Sequence, residues 1–350
     1  SRNMVIKRFF LATLGGTVCS AALGIGMAYA GAGVWAIVAQ QLSNTTIDTL
    51  ILWITVKWRP KRAFSWDRLK KLLSFGWKML ASSLLDTIYN NLRNLVIGRI
   101  YSSADLAYYN QGDKMPSVIV NNINTSIDSV LLPTMANAQD DCTRIKEMTR
   151  RAIKMSTYAM APLMMGLAFC AEPIIQLVLT EKWLPCVPYL RIFCITYMFY
   201  PIHTANLNAI KAMGRSDMFL ELEIAKKIVG IFLLILTMNF GVMAMAYSLL
   251  VGSVLNQIIN SWPNRKLLFY GYTEQIKDIL PSILLAVGMG ICVYFVGFIH
   301  LPTIIVLILQ ICLGAVIFIG LSALLRFEEF TYIINLILGF VNRYKKGDTL

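Results

Sequence analysis

Apolar residues recur along this chain in blocks of about twenty, the length needed to cross the hydrocarbon core of a bilayer, with short polar connections between them. When the apolar runs are allowed to carry polar stripes, they predict ten transmembrane helices. These cover residues 9–29, 34–56, 76–100, 114–138, 155–179, 187–210, 224–240, 242–262, 279–299 and 303–325. The expected fold class is an all-α, polytopic membrane protein. One stretch departs most from plain apolarity: FGWKMLASSLLDTIYNNLRNLVIGRIYSSADLAYYNQGDK, residues 75–114. Its first half could span a bilayer, yet Ser82, Asp86, Asn90 and Arg93 recur at i, i+4, i+8 and i+11, down one helical face. An ionised group at the bilayer centre costs about 2.5–3.5 kcal/mol on insertion scales, so this face is expected to meet other helices or a wet cavity.

Other patterns refine the picture. Asn121, Asn124 and Asp128 line one face of the fourth span, opposite Val118, Ile123, Ile127 and Val130. Gly16, Ser20 and Gly24 give the first span a small-residue face suited to close helix packing. Within 60–75, Trp66, Leu69 and Leu73 form an apolar stripe beside Arg68, Lys70 and Lys71. That stripe reads either as an interfacial helix on an anionic leaflet or as a solvated orientation signal. Residues 327–350 read as an amphipathic tail on the same surface. Pro116, Pro133, Pro162, Pro173 and Pro201 are expected to interrupt spans.

The 350 residues are 57% hydrophobic with a mean hydropathy of +0.62, above the ~45–50% apolar usage of soluble domains. A net charge of +13 would suit a nucleic-acid partner if it were gathered on one domain. Instead the basic residues sit between apolar blocks, and no nucleic-acid partner is expected. Twenty-six of the 32 Lys and Arg fall in alternate connections and at the two ends, including four within 211–227, whereas the opposite connections hold only Lys182. Basic residues are retained on the cytoplasmic side, so both ends are expected to be cytoplasmic. The seven cysteines form no CxxC pair, and His203 and His300 lack metal-ligand spacing, so a metal site is not expected. There is no GxxxxGK[ST] loop for nucleotide phosphates, and the sequons at Asn44 and Asn124 fall inside predicted spans.

Shifting the chain against itself by 208 positions aligns Gly33-Val34-Trp35-Ala36 with Gly241-Val242-Met243-Ala244, Asp48 with Asn256 and Lys57 with Arg265. A non-inverted repeat predicts two bundles related by an axis along the membrane normal. Four spans precede the second copy, so a complete repeat would have six helices, and four more would precede the first copy.

Asp48, Asp86, Arg93, Asp113, Lys114, Asp128, Glu172 and Arg191 lie within or beside spans. Structural ion pairs would account for some of them. Arg93, Lys114 and Arg191 come from different spans of one six-helix unit and supply charge-assisted donors for an anionic group such as a diphosphate. Asp86, Asn90, Asn121, Asp128 and His203 are the candidate polar lining of the same cavity, and no catalytic group is expected.

LLDTIYNNL at 84–92, ADLAYYNQGDK at 104–114, PLMMGLA at 162–168, AEPIIQLVLTEKWLPCVPYLRI at 171–192 and YPIHTANLNAIKAMGRSDMFLELEIAKK at 200–227 resemble lipopolysaccharide and exopolysaccharide flippases. These are the Wzx-type, colanic-acid-exporter-like polysaccharide transporters of the multidrug/oligosaccharidyl-lipid/polysaccharide superfamily. The resemblance implies fourteen helices, as two six-helix lobes and a C-terminal pair. Residues 1–59 would then close the first lobe, 60–75 would link, 76–266 would form the second lobe, 267–326 the extra pair and 327–350 the tail. It implies a carrier, not an enzyme, that needs no cofactor and moves undecaprenyl-diphosphate-linked oligosaccharide across the bacterial inner membrane. The implied partners are membrane lipids, a coupling proton or sodium ion, and the polysaccharide polymerase and glycosyltransferases. A multidrug or cation antiporter on the same scaffold, or an integral-membrane glycan polymerase or ligase, are the alternative readings; the short outer connections argue against the latter, and the interior cations against the former.

Overall fold

The structure is a computed structural model that describes residues 6–55, 65–139, 141–299 and 301–335. The described residues are helical almost throughout and contain no strand. The protein is a multi-span helical membrane protein. The chain divides into two compact units, residues 1–80 and 81–350.

In the first unit, α1 (Ile6–Tyr29) packs along α2 (Val34–Thr55). The small-residue face of α1 makes this contact, as its spacing predicts. A Cβ on Gly24 would stand 3.0 Å from Gln40 Cβ, and Gly16 lies under the side chains of Asn44 and Asp48. Helix α3 runs from Trp66 to Ile100. It therefore begins ten residues ahead of the expected span, and takes in most of the stretch read as an interfacial segment.

In the second unit, α4 (Ser103–Ala136) starts eleven residues earlier than its apolar run suggests, because Ser102 and Asp105 form a reciprocal capping box. It packs on α7 (Val187–Met198) and α8 (Tyr200–Ala212). Helix α5 (Cys142–Phe169) packs on α7, α8 and α11 (Tyr272–Val296), and α10 (Val242–Leu267) packs on α7, α8 and α9 (Ser216–Thr237). Helix α12 (Thr303–Leu324) lies against α11 and α6 (Ala171–Leu179). The centre is filled by Met160, Met164, Ile175, Leu190 and Cys194, all with no exposed surface. A second cluster around Ile97 brings α3 onto Tyr109, Phe193 and Met245.

Two expected spans are broken rather than continuous. The fifth bends by 68° between α5 and α6, with Pro173 in the first turn of the new helix. The sixth stops at Phe199 and restarts as α8 with Pro201 in its first turn, where a missing N–H leaves no hydrogen bond unmade. Pro116, Pro133 and Pro162, by contrast, sit inside unbroken helices. By length and apolarity alone, Ala12–Tyr29, α10, α11 and α12 qualify as membrane spans, and α5 with α6 as a bent fifth. The remaining helices carry the polar stripes. Beyond the end of α12, Glu328 accepts from Lys154 Nζ at 2.8 Å, and this ammonium holds the Glu328 carboxyl below its usual range. The basic run at 57–62, His300, the side chain of Ser82 and the tail beyond residue 335 lie outside the described residues.

Candidate functional site

The polar stripe of α3 opens onto a cavity of about 640 Å³ within the second unit. Asp86, Tyr89, Asn90 and Arg93 line it from α3, because i, i+3, i+4 and i+7 share one helical face. Tyr109, Asn110 and Asp113 line it from α4, Phe193 and Tyr197 from α7, and Tyr200 from α8. Glu223, Lys226, Lys227 and Gly230 face it from α9, with Ser248, Gly252, Ser253 and Asn256 from α10.

The cavity holds three cations and three carboxylates, and most are already engaged. Arg93 Nη1 donates to the Met245 carbonyl and to Ser248 Oγ at 2.9 Å, which locks α3 to α10. Lys227 Nζ is paired with Asp86, 141 residues away in sequence. Lys226 Nζ meets Glu223 at 2.6 Å, one turn back on the same helix. The Tyr197 hydroxyl donates to Asp113, and its ring stacks edge-on to Tyr200 with centroids 4.8 Å apart. Tyr109 packs edge-on against Phe193 at 5.1 Å. The result is a polar, charge-balanced chamber with an aromatic wall. Such a chamber suits a large polar ligand that brings its own charge, since each fixed ion has a resting partner.

Of the candidate site residues, Arg93, Asp86 and Asn90 meet in this cavity. The three proposed cations, however, do not converge. Lys114 is exposed and lies one position round α4 from the lining Asp113. Arg191 faces the other way from α7, donating to Ala168 O at 3.2 Å and to Glu172 at 2.9 Å, where it lines a separate cavity. Asp128 accepts from Asn208 Nδ2 at 2.7 Å, and Asn121 is exposed. His203 lies beside the cavity, 3.4 Å from both Ser253 Oγ and Asn260 Nδ2. The sequence reading missed Lys226 and Lys227. It counted them with the basic cytoplasmic connection at 211–227, at the edge of the span expected over 224–240, but α9 begins at Ser216 and carries both into the cavity wall. Their spacing from Glu223 at i+3 and i+4 is the signal that could have placed them on a helix. Among the described residues no group of three His, Cys, Asp or Glu could hold a metal ion.

Comparison with known proteins places this architecture. The chain is 25% identical over 75% of its length to the teichuronic acid biosynthesis protein TuaB of Bacillus subtilis, covering 56% of that protein. It is 26% identical over 69% of its length to the lipopolysaccharide biosynthesis protein WzxC of Escherichia coli, covering 47% of that protein. The chain thus spans about half the length of these curated relatives. Its fold is similar to that of the lipid II flippase MurJ in an inward closed conformation, with a TM-score of 0.71 and 16% identity, over 86% of this chain and 64% of that one. Residues 1–188 match the model of the polysaccharide biosynthesis protein family. This chain, with its helical membrane fold and charged interior cavity, belongs to the polysaccharide biosynthesis protein family.

Proposed function

We propose that the protein flips a polyprenyl-diphosphate-linked oligosaccharide, of the undecaprenyl type, across the bacterial cytoplasmic membrane for surface polysaccharide synthesis. The observation that carries this reading is the charge-balanced cavity, whose wall carries Arg93, Lys226 and Lys227 together with Asp86, Asp113 and Glu223. A diphosphate brings about two negative charges into a region of lowered dielectric, and each needs a cationic partner to offset desolvation. Arg93 anchors the diphosphate with its guanidinium fork, and Lys227 and Lys226 join it on leaving Asp86 and Glu223. Tyr109, Tyr197 and Tyr200 with Asn90 and Asn110 take the sugars, and the polyprenyl chain stays in lipid. The released carboxylates, with Asp113, are the groups available to a coupling proton or sodium ion. The protein needs no covalent chemistry for this.

Residues 1–59 and 76–266 are assigned to the first and second lobes, joined by the 60–75 linker and followed by the pair at 267–326 and the tail at 327–350. Lys114, Asn121 and Asp128 are assigned to the path by which the head group enters and leaves, and His203 to the cavity's polar backing. Both ends are assigned to the cytoplasm: the basic bias survives the transfer of Lys226 and Lys227 to the cavity, since Lys182 still stands alone on the opposite side. Membrane lipids surround the protein, and the glycosyltransferases that build the substrate and the polymerase that extends it act on either side of it.

The test is export in cells. A strain deleted for the gene should lose surface polysaccharide and accumulate the lipid-linked precursor, and the wild-type gene should reverse both. Normal surface polysaccharide in the deleted strain would overturn the reading.

A further inference from the structure

We propose that the cavity holding Arg191 and Glu172 is a binding site for a phospholipid head group that carries both a phosphate and a primary ammonium. The cavity measures about 240 Å³, below the ~300–1,000 Å³ of ordinary small-molecule pockets. It is lined by the α5–α6 bend at Phe169, Glu172 and Pro173, by Arg191 of α7, and by Tyr294, Phe298 and Gln310 of the α11–α12 hairpin. This space is separate from the chamber lined by Arg93, and its role lies beyond the flipping reaction.

Three groups define its chemistry. The Arg191 guanidinium has five N–H donors, and its bonds to Ala168 O and Glu172 use two of them, so part of the fork remains for a phosphate. Glu172 offers a carboxylate to an ammonium. Gln310 is 2% exposed and donates its Nε2 to Val293 O at 3.1 Å, while its Oε1 is buried without a partner. A buried acceptor left without a donor is costly, so an N–H donor is the complement the site lacks. Tyr294 lines the same space.

The resting ion pair explains why the ligand should be a zwitterion. Arg191 and Glu172 satisfy each other when the site is empty. A head group with both charges exchanges one ion pair for two and leaves no ion unmatched, whereas an anionic lipid would take Arg191 from Glu172 and offer that carboxylate only repulsion. A choline head group has no N–H for Gln310. Next to the site, Val178, Phe298, Ile304 and Ile308 are exposed by more than half and give acyl chains an apolar surface to follow. A soluble phosphoamine would have no use for that surface.

The experiment is native mass spectrometry of the full chain in mixed micelles containing equal amounts of phosphatidylethanolamine, phosphatidylcholine and phosphatidylglycerol. Wild-type protein should retain phosphatidylethanolamine about tenfold or more over either competitor, and the R191Q/E172Q double variant should hold the three equally. Because that variant removes both charges at once, it leaves no unpaired ion; its thermal unfolding without lipid shows whether it is folded. The Gln310→Leu variant, which leaves the ion pair intact, should lose most of the preference over phosphatidylcholine alone. Equal retention of the three lipids by wild type, preference for phosphatidylglycerol, or an unchanged profile in Gln310→Leu would overturn the proposal.

Discussion

Arg93 and Ser248, 155 residues apart in sequence, meet across the cavity: the guanidinium of α3 donates to the hydroxyl of α10 at 2.9 Å. The same Nη1 also reaches the Met245 carbonyl. Arg93 is thus oriented before any ligand arrives, in the wall of the chamber. Replacing it by Ala removes a charge-assisted contact worth about 1.5–3 kcal/mol, or ten- to a hundredfold in affinity. Surface polysaccharide should fall by that order. Arg93→Lys should keep part of the activity, because the charge survives while the fork does not. Quantifying polysaccharide at matched protein abundance separates a binding role from a merely structural one, in which abundance would fall in parallel.

Lys227 and Asp86 form the contact that a diphosphate entering the chamber would have to open. Asp86→Asn should leave Lys227 without its resting partner and raise affinity for the anionic head group while slowing its release. Lys227→Ala should weaken binding by roughly tenfold. The reversed pair, Asp86→Lys with Lys227→Asp, preserves the contact but moves the cation to α3. Binding of polyprenyl diphosphate by the three variants, followed by isothermal calorimetry in detergent, should rank Asp86→Asn above wild type and Lys227→Ala below it. The opposite order would show that the pair serves packing alone.

Gly230 leaves room for the Tyr89 hydroxyl. A Cβ at 230 would collide with the Tyr89 hydroxyl, which stands over the glycine from α3. Gly230→Ala should therefore push the Tyr89 ring into the cavity and impair export, and adding Tyr89→Phe should restore it by removing the colliding oxygen. Gly166, with open space around its Cβ position, is the control: Gly166→Ala should be neutral or stabilise the helix by about 0.5–1 kcal/mol. Export by the single and double variants at equal expression decides the matter.

A buried amide cluster holds α8, α10 and α11 together behind the cavity. Asn206 Nδ2 donates to Gln275 Oε1 at 2.9 Å, Gln275 Nε2 returns to Asn206 Oδ1 at 3.0 Å, and Asn264 Nδ2 reaches Asn206 Oδ1 at 2.7 Å. Asn206 and Gln275 have no exposed surface. Asn206→Leu removes three side-chain hydrogen bonds at about 0.5–1.5 kcal/mol each, leaving Asn264 Nδ2 only the residue-206 carbonyl at 3.2 Å and Gln275 Nε2 only Tyr270 O at 3.4 Å, and should lower the thermal unfolding midpoint more than the exposed Asn90→Leu does. Equal midpoints would contradict the cluster's role.

Much of this architecture was legible in the sequence. Blocks of apolar residues pointed to α1, α2, α10, α11 and α12, and the four-residue spacing of Gly16, Ser20 and Gly24 pointed to a close-packing face on α1, which α2 occupies. The polar face of α3 pointed to the cavity through Asp86, Asn90 and Arg93 because helical period alone places them together. The rest depended on partners distant in the chain. Lys226 and Lys227 sit beside Glu223 in a charged run that resembles a connection, and their place became visible only once α3 stood opposite. Arg191 carries the same charge as Arg93, and only the direction of its face on α7 sends it to another cavity. The helix breaks at Cys170 and Phe199 had a local signal in Pro173 and Pro201, yet Pro116, Pro133 and Pro162 carry the same signal inside intact helices. Neighbouring helices decide which prolines end a span.

The central claim is that the chamber around Arg93 carries a lipid-linked oligosaccharide from one leaflet to the other. The most direct measurement reconstitutes the protein in proteoliposomes with an undecaprenyl-diphosphate-linked oligosaccharide confined to one leaflet, and follows its accessibility to a membrane-impermeant glycosidase. Wild-type protein should make the oligosaccharide accessible from the opposite side at a rate far above protein-free vesicles, and Arg93→Ala should bring that rate down by at least tenfold. Transfer at the wild-type rate by the triple variant Arg93→Ala, Lys226→Ala, Lys227→Ala, or no transfer by the wild-type protein, would contradict the account.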